Sequence, residues 1–166
     1  MSLSTEERKQ IVCYRLEKAQ TAFTHAQGNA SMGYWEVTAN RLYYAAYYAV
    51  SALLIQNGHV AQTHNGVIQL FGLHFIKPGI VERHIGKLYN QLFTLRLTGD
   101  YNDSYTLEAD DVIPLIEPTG KRLSLHWHNK TQLSHNPIHP SFIDSSAMRA
   151  NSLLPQFLPA SAATIA

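Results

Sequence analysis

The chain has one cysteine, Cys13, so no internal disulfide can form, and a reducing, cytoplasmic setting is the plain expectation. It also lacks an excess of either charge. Thirteen basic residues stand against twelve acidic ones, for a net charge of +1. That excludes bulk electrostatic attraction to nucleic acid or an acidic membrane, while leaving room for a local basic patch. The segment from Met1 to Lys9 is polar and has no apolar signal-peptide core. The longest apolar stretch, Leu42 to Ile55, runs about 14 residues and includes four tyrosines, short of the ~20 that a membrane span requires. A soluble protein with no membrane partner is expected. No glycine-rich phosphate loop, HExxH pair or serine elbow occurs, so conventional hydrolase and nucleotide-fold chemistry has no support. His126-x-His128 and His135-x3-His139 have metal-ligand spacings, but neither cysteines nor nearby acids accompany them. Neither a metal nor a cofactor is expected.

What is present is helical. Alternating strand patterns and internal repeats are missing, and 166 residues are enough for one domain with a real core. The chain is organised around Asn40 to Leu54. Apolar and aromatic residues recur there at 44, 47, 48, 54 and 55 and again at 43, 46, 50 and 53, filling two helical faces. A helix apolar on more than one face belongs in the middle of a bundle. Its alanines allow close approach, its tyrosines bring area with a polar tip, and Arg41 is the only formal charge between Val37 and Ile76.

Around this rod the spacing predicts an all-α bundle of four to five helices. The first helix starts at Ser4-Thr5-Glu6-Glu7, carries Ile11, Tyr14, Leu16, Ala19, Ala22 and Phe23 inward, and ends at Gly28-Asn29. Cys13 is expected to pack within it. The central helix covers about Ser31 to Gln56, closed by Asn57-Gly58. Thr63 caps a third helix bearing Val67, Ile68, Leu70, Phe71 and Phe75, and Lys77-Pro78-Gly79 is a turn. A fourth helix has the seam Val81, Ile85, Leu88, Leu92 and Leu95 and ends near Gly99. Thr106 and the acids after it open a fifth, which Pro114 and Pro118 should kink, shorten or restart, an interior proline costing about 3 kcal/mol. Residues 1–125 form the bundle. Residues 126–166, with four of the seven prolines and little helical period, read as an irregular or disordered tail, one that could be foreign to the domain.

Three places could carry chemistry. In Arg96-Leu97-Thr98-Gly99-Asp100-Tyr101, Arg96 and Asp100 are either a surface pair at i, i+4 or a bidentate phosphate grip with Tyr101 beside it. In Thr63-His64-Asn65-Gly66, His64 is either a plain first-turn residue or one part of an anion site at a helix N-terminus. Arg41, beside Tyr43 and Tyr44, needs either a carboxylate such as Asp100 or Glu36, or a ligand.

Taken together and in order, Asn40-Arg41-Leu42-Tyr43-Tyr44-Ala45-Ala46-Tyr47, Thr63 to Gly72, and Leu95 to Tyr101 resemble the three blocks of a HEPN domain. The likeness is to its small stand-alone prokaryotic branch (RxYYA, THxGV…LF, LRxxxDY) and covers about Ser4 to Leu125. It implies an up-and-down helical bundle that forms homodimers and binds nucleotide or RNA. It also implies a small nucleotidyltransferase partner in a toxin–antitoxin-like system. Many relatives are metal-independent endoribonuclease toxins, in which an arginine is followed after four to six residues by a histidine. There a base helps the 2′-hydroxyl attack and the arginine steadies the phosphorane.

In this chain the arginine position is Arg96, but Tyr101 stands where the histidine would, and Leu97 replaces a polar residue. A tyrosine of pKa about 10 is a poor base at neutral pH. A nucleotide- or RNA-binding module is therefore the leading expectation. The alternatives are an endoribonuclease with an Arg-x4-Tyr site (Arg96 and Tyr101, with His64 lending an imidazole) and a non-catalytic dimeric interaction protein. Arg41, Tyr44 and Asp100 are the expected ligand-binding or supporting residues, and Tyr101 or Tyr105 the tyrosine a partner would nucleotidylate.

Overall fold

The computed structural model describes residues 4–101 and 106–131, with side chains placed for 4–99 and 106–121. The chain divides into two units, Met1–Trp127 and His128–Ala166, and the helices lie in the first except for the end of the last one. Its elements are α1 (Thr5–Ser31), α2 (Trp35–Gln56), α3 (His64–Phe71), a π-helical segment (Gly72–Ile76), α4 (Arg83–Tyr101) and α5 (Ala109–Thr131). Among the described residues there is no strand, and the chain is an all-α bundle, as expected.

Helix α2 is the centre. Leu42, Tyr43, Ala45 and Ala52 are fully buried, and α1, α3 and α4 all pack on it. Small residues are buried on both α1 and α2. Ala19, Ala22 and Ala26 of α1 are buried, as are Ala39, Ala45, Ala49 and Ala52 of α2, so the two backbones can approach. Helix α1 begins at a capping box: the Ser4 hydroxyl accepts from the Glu7 N–H, and the Glu7 carboxylate accepts from the Ser4 N–H. Glycines turn the chain where the left-handed conformation is required, Gly33 between α1 and α2 (φ 76°) and Gly58 after α2 (φ 82°).

Four expectations are corrected. Helix α1 does not stop at Gly28-Asn29 but runs to Ser31. Asn29 and Ser31 bond back to the carbonyls of His25 and Gly28, and Gly33 supplies the turn. Cys13 is exposed, because the buried stripe is Val12, Ala19, Ala22, Phe23 and Ala26; Tyr14 is exposed too.

Helix α4 passes through Gly99 to Tyr101. That glycine is a packing device: a Cβ there would sit 3.2 Å from Leu107 and 3.4 Å from Glu36. Helix α5 is not restarted at its prolines. Pro114 is exposed and Pro118 lies one turn on, so the carbonyls they leave unbonded, of Asp110 and Pro114, belong to exposed residues. Val112, Leu115 and Thr119 on the opposite side are buried, and that packing outweighs the prolines. No described helix is long and apolar enough to cross a membrane.

Candidate functional site

Tyr43 is the hub at which three helices meet. It is fully buried on α2, yet its hydroxyl reaches Nδ1 of His64 at 2.6 Å. Its ring contacts Tyr89 (6.0 Å between centroids) and Phe93 (5.5 Å) of α4. His64 is presented there because Thr63 caps α3, its hydroxyl accepting from the Gly66 N–H at 3.0 Å. A Cβ at Gly66 would come within 3.1 Å of that hydroxyl oxygen, so the glycine keeps the cap tight. The imidazole is flanked by Tyr47 at 4.6 Å and Tyr44 at 6.0 Å.

Arg96 comes from α4 to the same place. Its guanidinium carbon is 5.9 Å from the Tyr43 ring centre and 5.9 Å from that of Tyr44. The Arg41 guanidinium carbon is 5.2 Å from the Tyr44 ring centre. Two guanidinium groups therefore lie within about 6 Å of one tyrosine ring, which is cation–π range and concentrates positive charge.

The electrostatics follow from burial and from Arg96. Burial pushes the Tyr43 phenol up to about 12, with Arg96 pulling the other way, so Tyr43 keeps its proton. Burial, and then the Arg96 charge, lower the pKa of His64, so the imidazole is neutral at pH 7. Burial raises the phenol of Tyr89 as well, and nearby Tyr43 adds to it. The tautomer of His64 sets the work of its outer nitrogen. With Tyr43 donating to Nδ1, Nε2 carries the proton and can donate to an anion. With Nδ1 donating to Tyr43, Nε2 is a base.

The site residues read from sequence thus divide. His64, Arg96, Tyr44 and Arg41 are brought together. The carboxylate expected beside Arg41 is not Glu36. Arg41 donates to Asn40 Oδ1 through Nε (3.1 Å) and Nη2 (2.6 Å), while Glu36 accepts from the Leu107 N–H at 3.3 Å. Glu36 points toward the α4–α5 connection because Gly99 leaves room for it there.

The side chains of Asp100 and Tyr101, and all of Tyr105, lie outside the described residues, as do the histidine side chains at 126, 128, 135 and 139. Among the described residues no group of three or more His, Cys, Asp or Glu is placed to hold a metal. Sequence reasoning took Tyr43 for plain core and passed over Tyr89. The available signal was the run of polar-tipped rings at 43, 44, 47 and 48, where a pure packing helix would place leucine.

Residues 12–123, which include every residue of this site, match the HEPN domain family. A UPF0332 protein of Thermotoga maritima is 35% identical over 106 residues, covering 64% of this chain and 80% of that protein. A protein of Methanocaldococcus jannaschii named as a putative toxin is 24% identical over 101 residues, covering 61% of this chain and 69% of its own length. Among solved structures, TT1696 from Thermus thermophilus shares the fold, with a TM-score of 0.60 at 18% identity over 70% of this chain and 96% of that one. With two thirds of its length matched, and the matched part holding the whole helical core, the chain belongs to the HEPN domain family.

Proposed function

We propose that the protein is an RNA- or nucleotide-binding module whose ligand phosphate is held at the corner formed by Arg96, Arg41, Tyr44 and His64. One observation carries this reading: two guanidinium groups and a neutral imidazole converge on adjacent rings of one buried helix. Arginine suits bidentate phosphate contact, and the half-buried ring of Tyr44 adds aromatic surface for a base. The module would act as a homodimer beside a small nucleotidyltransferase, in a toxin–antitoxin-like pair. Relatives named as toxins support the toxin part, and the exposed apolar side chains of Val37 and Leu97, close in sequence to Arg41 and Arg96, suit a protein partner.

A second reading, metal-independent endoribonuclease, is favoured by the placing of His64 and Arg96 on one tyrosine. In that chemistry His64 Nε2 would take the 2′-hydroxyl proton. The oxygen would attack phosphorus with Arg96 stabilising the phosphorane charge, and the bond to the 5′-oxygen would break to leave a 2′,3′-cyclic phosphate and a 5′-hydroxyl that takes its proton from water. The two readings part in one experiment with a fluorescent single-stranded RNA in EDTA. Anisotropy should show binding by the wild type that is lost in Arg96→Ala and Tyr44→Ala. Equal binding by all three would sink the site. Cleavage that vanishes in both Arg96→Ala and His64→Ala would favour the nuclease, whereas binding without cleavage would leave the binding module.

A further inference from the structure

The hydrogen bond between Tyr43 and His64 has a direction. The phenol oxygen and Nδ1 are 2.6 Å apart. Bonds donated by N–H span roughly 2.7–3.2 Å and those donated by O–H roughly 2.5–3.0 Å, so this separation suits a phenol donor and an imidazole acceptor. Burial agrees. The Tyr43 side chain is fully buried and burial pushes its phenol up to about 12, so its hydrogen is present at neutral pH and needs an acceptor. Burial, and then Arg96, keep His64 neutral, so one of its nitrogens has a lone pair to offer.

Tyr89 closes the other direction. It stacks on Tyr43 with ring planes 21° apart, and it is only 3% exposed. Its hydroxyl is buried and makes no bond of full hydrogen-bonding geometry among the described residues. The phenol it bears on is Tyr43, whose pKa it lowers against the effect of burial, as a donor does. Were Tyr43 to donate toward Tyr89 instead, the Tyr89 hydrogen would be left in the core with no acceptor, which is costly. Donation therefore runs from Tyr89 toward Tyr43, and from Tyr43 to Nδ1.

We infer that Tyr43, backed by Tyr89, is a positioning residue that holds His64 with its proton on Nε2, so that the imidazole offers the Arg96 corner a hydrogen-bond donor and not a base. Nε2, Arg96 and Arg41 then all donate and none accepts, which fits a fully ionised phosphate oxygen. That the anion is a phosphate rests on the function proposed above; the tautomer does not. A 2′-hydroxyl would find no proton acceptor on this imidazole, which favours the binding module over the endoribonuclease.

The test reads the tautomer directly, by long-range proton–nitrogen NMR correlation on the full isotope-labelled chain at neutral pH, with His64→Asn to assign the peaks. Wild type should show a protonated Nε2 and an unprotonated, hydrogen-bonded Nδ1 in a single population. Tyr43→Phe should return a mixture of the two tautomers, and Tyr89→Phe should move Nδ1 in the same direction by less. Inorganic phosphate should move the Nε2 proton resonance saturably in wild type, and bind about fivefold more weakly in Tyr43→Phe. A proton on Nδ1, a mixed tautomer in wild type, or a single tautomer unchanged in Tyr43→Phe overturns the inference. So does an Nε2 proton whose resonance phosphate does not move. A wild type that responds to phosphate but binds no RNA refutes the RNA reading and leaves this inference standing. Circular dichroism checks each fold, and the wild-type spectra stand as the test if neither phenylalanine variant folds.

Discussion

The Tyr43 hydroxyl and His64 Nδ1 lie 2.6 Å apart, joining the central helix to the first turn of α3 across 21 residues of sequence. A fully buried ring thereby fixes the orientation of a partly exposed imidazole. Tyr43→Phe keeps the ring and removes only the tether. Unfolding stability should fall by about 1 kcal/mol, the usual worth of one such bond. The imidazole nitrogen resonances of His64 should shift at the same time. If they stay where they were, the tether is not formed in solution.

Arg96 and His64 are coupled through charge, and the sign can be worked out. The Arg96 guanidinium disfavours a second positive charge, which together with burial lowers the His64 pKa. Arg96→Gln should therefore raise that pKa toward its ordinary value in an NMR titration. Because the folded pKa is depressed, the unfolded chain binds the proton more readily. The stability contributed by neutral His64 is complete above the ordinary imidazole range of about 6.5 and is lost as pH falls toward the lowered folded value. His64→Asn should flatten that acid limb of the thermal melting profile.

At the alkaline end the buried phenols dominate. Tyr43 is raised to about 12, so protonation of its folded form is favoured, and its contribution is lost as pH rises from the ordinary phenol range through the folded value. Tyrosinate absorbance should show Tyr43 ionising late, in step with unfolding, and Tyr43→Phe should remove that component. Ionisation of Tyr43 well before any loss of helix would contradict its burial.

Gly120 packs α5 against α1. A Cβ at that position would come 2.5 Å from Cζ of Phe23, a ring only 8% exposed. Gly120→Ala should destabilise by about 1–3 kcal/mol through overpacking, despite the better helix propensity of alanine. Adding Phe23→Leu should recover part of the loss in urea unfolding, and an additive double variant would show that the two do not touch.

Pro114 sits exposed within α5 and cannot donate to the Asp110 carbonyl. Pro114→Ala restores that bond at a site where nothing buried depends on the ring. Stability should rise by about 1–3 kcal/mol, discounted for the greater freedom of the unfolded chain. A neutral or destabilising result would mean that the proline ring itself packs.

The helices were legible in the residues because their signals are local. Ser4 and Glu7 make their capping box within one turn, Thr63 caps three residues ahead, and Asn57-Gly58 and Lys77-Pro78-Gly79 turn the chain where they stand. The failures were also local signals, outweighed by distant ones. Gly99 does not end α4 because Leu107 and Glu36 crowd it, and the prolines do not end α5 because Val112, Leu115 and Thr119 are buried on the other face.

By itself, the sequence determined the all-α class, the central tyrosine-rich helix and the candidacy of Arg96, His64, Tyr44 and Arg41. It did so because periodicity, capping and motif order are properties of neighbouring residues. Only the tertiary structure decided that Tyr43 tethers His64, that Arg96 and Arg41 share Tyr44, that Arg41 bonds Asn40 and not Glu36, and that Cys13 faces outward. Those outcomes depend on how α2, α3 and α4 rotate against one another. That rotation is set by how all their buried side chains fill space together, which no single stretch of sequence encodes.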